Sequence, residues 1–108
     1  MRTHQEIDAR SLWLHGIIAQ RMRNDPTLFD RARQTLGRLL ATRPVNEQPL
    51  LRQWQEIMDA GIESCIAAMT EDTEAGRQRR QSAPFAGLLP PRERERLLRE
   101  WSTSHAKA

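Results

Sequence analysis

Apolar residues recur at spacings of three and four through the first part of the chain, and short breaks cut that recurrence into helix-sized pieces. Ile7, Leu14, Ile17, Ile18 and Met22 fall on one face of a helix. Thr3 and Glu6, at capping-box spacing, open it, and it runs to about Arg23. Asn24-Asp25-Pro26 then interrupts the pattern, because Asp25 is suited to cap a new helix and proline is tolerated at a first helical position. The second helix, Pro26 to about Thr42, carries a narrow stripe of Leu28, Phe29, Ala32, Leu36, Leu39 and Leu40. Strands have little to draw on: the chain has one Val, no Tyr and two Phe, whereas Leu, Ala, Arg, Gln and Glu abound. An all-α fold, a small bundle of five or six short helices, is expected.

Pro44 to Pro49 reads as a loop closed by a proline at the start of a third helix, whose apolar face is Leu50, Leu51, Trp54, Ile57 and Met58. Gly61 interrupts that face, which resumes at Ile62, Cys65, Ile66 and Met69 as a short fourth helix or a bent continuation. Asp72 is placed to cap a segment of acid-then-base order that suits a helix dipole. A last helix spans about Pro91 to Trp101. Residues 1–101 are expected to form one domain and 102–108 a frayed tail.

The net charge of +3 hides a segregation: residues 1–43 are basic, 44–75 acidic and 76–108 basic again. Such an order lets the ends fold against the middle, which weakens the high pI as an argument for nucleic acid. Cys65 is the single cysteine and sits on an apolar stripe, better suited to a buried thiol than to a nucleophile. His4, His15 and His105 are scattered, so no metal or other cofactor is expected. Without a long apolar run or a signal-peptide core, no membrane association and a cytoplasmic location are expected.

Two arginine–histidine spacings suggest chemistry. Arg10 to His15 is R-x4-H and Arg99 to His105 is R-x5-H, resembling the motif of helical ribonucleases of the HEPN type. In so arginine-rich a chain about one such match is expected by chance. DNA binding is a further alternative, since helix, short turn and helix occur in order, but the exposed side of the second helix offers only Arg31, Gln34 and Arg38. On the first helix, Leu12 and Trp13 fall off the main face on opposite flanks with Gly16 between them. That surplus suits either packing on two sides within the bundle or a homodimer interface.

The stretch RQRRQSAPFAGLLPPRER, residues 77–94, crowds arginines against an apolar hook with no periodicity. With EIDARSLWLHGIIAQRMRNDPTLFDRAR and QWQEIM, it resembles a family of small bacterial proteins with a DxRSL-type opening, a DPxLxxxA segment and a closing block near R-Q-S-S-P-F-A-G. Ala83 stands where serine is common there, and Pro90-Pro91 where Ser/Thr-Pro would cap the last helix. The resemblance implies an antitoxin, a non-enzymatic protein-binding module that neutralises a toxin, of nucleotidyltransferase type among others, by direct contact. From the residues themselves, Arg79, Arg80, Gln81, Ser82, Pro84 and Phe85 combine an aromatic anchor with hydrogen-bond donors, the composition of a contact site. The same residues would also serve if Phe85, Leu88 and Leu89 plugged the bundle.

Overall fold

The computed structural model describes residues 3–104 and contains, among them, six α-helices and no strand. They are α1 (His4–Asn24), α2 (Thr27–Thr42), α3 (Gln48–Asp59), α4 (Ile62–Met69), α5 (Glu74–Gln81) and α6 (Pro91–Ser104). Thr3 caps α1 by accepting the Glu6 amide at 3.1 Å. Asp25 accepts the Thr27 amide at 3.1 Å, so its carboxylate tethers the start of α2 one residue before the proline. Gly61 has φ +113, a backbone state that residues other than glycine rarely adopt, and this separates α3 from α4 as two helices. The fifth helix is capped differently from the expectation. Thr73, in extended conformation, accepts the Gly76 amide at 3.0 Å, whereas Asp72 lies one residue outside and pairs with Arg77. The sixth helix runs past the buried Trp101 to Ser104, so residues 102–104, expected in a tail, are helical. Residues 105–108 lie outside the described residues.

The α1 helix is the axis of the bundle and touches α2, α4, α5 and α6. That role explains its unusually broad apolar surface: Leu14, Ile18, Ala19 and Met22 are buried, while Trp13 and Ile17 pack against the same core from the flank. The core continues through Leu51, Trp54 and Met58 of α3 and Cys65, Ile66 and Met69 of α4. Burial pushes the Cys65 thiol up to about 12, which leaves it protonated and inert.

The charge segregation becomes a set of cross-ties. Arg23 meets Glu63 at 3.3 Å and Arg33 meets Asp59 at 2.6 Å, joining the basic N-terminal third to the acidic middle. From the other side Arg79 reaches Glu71 at 2.9 Å. Arg21 of α1 pairs with Glu93 of α6, and that guanidinium holds the Glu93 carboxyl below the usual range. Two arginines also cap helices to which they do not belong. Arg33 donates to the Met58 carbonyl at 2.7 Å at the end of α3, and Arg80 to Met69 at 3.3 Å and Glu71 at 2.7 Å beyond the end of α4. Neither helix has a basic residue in its own last turn, so these side chains bring the positive charge that favours the carbonyl ends of α3 and α4.

Candidate functional site

The hook turns inward. After Gln81 the chain makes a turn held by the Ser82 and Ala83 amides on the Arg79 and Arg80 carbonyls, then a single 3-10 turn over Ala86–Leu88 closed by Leu88 on Phe85. Phe85 is wholly buried, edge-on to Trp54 at 5.1 Å between centroids and to His15 at 5.8 Å. Leu88 and Leu89 are buried beside it. Trp54 fastens the preceding helix, since its indole N–H donates to the Arg79 carbonyl at 2.8 Å. Phe85 therefore joins α1 and α3 across the core, the packing role that the sequence left open beside the contact role.

This placement corrects much of the expected contact set. Pro84 and Phe85 are inside, and Arg80 is only 6% exposed with its guanidinium turned to the Met69 and Glu71 carbonyls. Arg79 is held against Glu71 and Ser82 is half-buried, so Gln81 alone of the six is fully exposed. The physical reason is the turn after α5, which directs the apolar side chains at the gap left between α1 and α3. An exposed aromatic anchor is not formed here. The α1 set divides likewise. Trp13 packs on the core, Leu12 lies half-buried at the other flank, and a Cβ on Gly16 would meet nothing within 4 Å, so no helix of this chain uses its smallness for close approach.

Beside the hook lies a groove of about 320 Å³ between α1, the end of α5 and α6. Its polar wall is Arg10, Ser11, His15, Arg80, Gln81 and Arg94, and no Asp or Glu lines it among the described residues. The two members of the R-x4-H pair thus share one surface, but unequally. Arg10 is half-buried, whereas His15 is 8% exposed, with Nδ1 2.8 Å from the Ser11 carbonyl. That bond assigns the proton to Nδ1 and leaves a lone pair on Nε2, which is buried without a partner among the described residues. Burial, with Arg80 adding to it, holds the His15 pKa below its ordinary value against the opposing pull of the Ser11 carbonyl. His105, the partner of Arg99 in the second spacing, lies outside the described residues.

Arg80 is the unforeseen member of this wall. Its Nε and Nη2 atoms are buried and without partners among the described residues, and burial pulls its pKa down from the ordinary arginine value. Arg94 reaches the groove from α6, and neither it nor Arg10 has an acidic partner among the described residues. Arg10 and His15 are legible together from their spacing on one helix; Arg80 and Arg94 join them only through the tertiary fold. Among the described residues no three His, Cys, Asp or Glu side chains gather as metal ligands, and no helix is long and apolar enough to cross a membrane. No protein-family model, curated protein or solved structure matches the chain.

Proposed function

We propose that the chain is a protein-binding module of the antitoxin kind, which neutralises a bacterial toxin by direct contact through the outer surface of α6. The observation that carries the contact surface is a row of arginines there. Arg92, Arg96 and Arg99 recur at helical spacing and are exposed, on the side away from the buried Leu97 and Trp101. Arg96 is shared between Glu93 and Glu100, while Arg92 and Arg99 have no acidic partner among the described residues. Most arginines elsewhere are occupied within the fold, so cationic donors remain concentrated on this helix. Arginine is enriched at protein interfaces because its planar fork pairs two-pronged with carboxylates. The surface suits an acidic partner; the family resemblance supplies the role, with a nucleotidyltransferase-type toxin as one candidate.

Co-expression with the adjacent gene tests this reading. A neighbour that arrests growth alone, and is silenced by this chain but not by its Arg92→Glu/Arg99→Glu variant, is the expected result. Full silencing by that variant would remove α6 from the interface, and a harmless neighbour would remove the antitoxin role. The shared groove of Arg10 and His15 supports a ribonuclease as the second reading, although burial of His15 Nε2 works against it. RNA cleavage abolished by His15→Ala would establish that alternative.

A further inference from the structure

The groove between α1, α5 and α6 has a lining of two kinds, interleaved along α1 as Ile7, Arg10 and Leu14 and along α6 as Arg94 and Leu98. One is cationic, with Arg10, Arg80 and Arg94 converging from three separate helices and no carboxylate among the residues that line it. The other is apolar and includes Leu14, Leu98 and Ile7, which at 42% exposed is one of the few large apolar side chains left on the surface. Arg10 and Arg94 have no acidic partner among the described residues, so an anion seated in the groove supplies the counter-charge they lack. Behind them the buried nitrogens of Arg80 and His15 have hydrogen-bonding capacity that nothing among the described residues uses.

We propose that this groove binds a small organic phosphate of the mononucleotide class, Arg10 and Arg94 holding the phosphate while Ile7, Leu14 and Leu98 pack on the organic body. Guanidinium forks match phosphate oxygens two-pronged, and the phosphate supplies the counter-charge that Arg10 and Arg94 lack. A carboxylate would satisfy the same forks with less charge. The apolar part of the lining asks for more than the phosphate alone, since a concave site of apolar side chains with a few polar donors among them recognises a ligand with both an apolar body and a charged group. A groove of about 320 Å³ lies at the small end of ligand pockets, so the occupant is a single nucleotide-sized molecule and not a polymer. The assignment does not depend on the antitoxin reading, because α6 offers Arg94 to the groove and Arg92 and Arg99 to the outside.

The test is titration of the full chain, by calorimetry and by the His15 ring resonances, with AMP, inorganic phosphate and adenosine in parallel. AMP is expected to bind and to shift the His15 signals, with inorganic phosphate and adenosine each weaker by about tenfold or more because each engages only part of the lining. Arg10→Ala and Arg94→Ala, at half-buried and exposed positions where folding is retained, should each weaken AMP by about tenfold, the scale of one charge-assisted contact. Arg99→Ala on the outer side of α6 should not. Absence of AMP binding at millimolar concentration, or binding indifferent to Arg10 and Arg94, overturns the proposal. So does retention of a short single-stranded RNA by a chain that ignores AMP, which would assign the groove to a polynucleotide.

Discussion

Replacing Phe85 by alanine removes a ring that touches both α1 and α3, and the cavity it leaves is bounded by Trp54 and His15, neither free to collapse into it. The expected cost is about 3–5 kcal/mol, read from denaturant unfolding, with Tm falling by more than about 12 °C for a domain of this size. An unchanged Tm would return Phe85 to the contact role that the sequence left open beside packing. His15 gives a pH signature. Its folded pKa lies below the unfolded value of 6.5, so on acidification the unfolded chain takes up a proton that the folded chain refuses. The stability it contributes is complete above about pH 6.5 and is lost as pH falls toward the folded value. Plotted against pH between about 7 and 5, the Tm of His15→Leu should be flatter than that of the parent. An equal slope in the two proteins would mean that the imidazole is not buried in its neutral form.

At the scale of the helices, two glycines give opposite expectations. Gly37 is exposed in α2 and a Cβ added there would meet nothing within 4 Å, so Gly37→Ala should stabilise by about 0.5–1 kcal/mol through reduced backbone entropy. In α5, a Cβ on Gly76 would lie 2.2 Å from the Glu71 carbonyl oxygen. That oxygen also accepts from Arg80 and cannot retreat without breaking the bond, so Gly76→Ala should destabilise by about 1–3 kcal/mol despite alanine's better propensity. Paired thermal melts of the two variants decide it, and a stabilised Gly76→Ala would show that α5 does not dock so closely. Local chemistry made the helix ends legible: Thr3, Asp25 and Gly61 act through residues next to them in sequence. Thr73 displaced Asp72 because its extended backbone points the hydroxyl at the Gly76 amide. Arg33 and Arg80 as caps, and Arg80 and Arg94 in the groove, were illegible because their partners lie on other helices. The hook was half legible, its turn from Pro84 but its inward direction only from the gap between α1 and α3.

Across the whole molecule the arginines separate into those that hold the fold and those left outside it. With a radius of gyration of 14.1 Å against about 13 Å for a compact chain of this length, the body is slightly elongated, 44 Å in its longest dimension. The ties Arg23–Glu63, Arg33–Asp59 and Arg79–Glu71 link the segregated charge blocks, while Arg92 and Arg99 contribute to none. Arg92→Glu/Arg99→Glu should therefore change Tm by less than about 3 °C, since exposed unpaired charges contribute little to folding. Its association with an acidic partner should lose both rate and salt dependence. A large drop in Tm would place these side chains in the fold instead.

The inward turn of Phe85 also orders events during synthesis. The ribosome delivers five of the six described helices before the ring that joins α1 to α3 exists, and the joint closes only when Phe85 meets His15 and Trp54, far from it in the sequence. A nascent chain halted at Gln81 is thus nearly all helix-forming sequence with an open core, and its apolar stripes remain available to chaperones and proteases. Addition of the hook converts that vulnerable chain into a closed one. Limited proteolysis of ribosome complexes arrested on a C-terminal extension of increasing length should show protection appearing abruptly once the hook has left the exit tunnel.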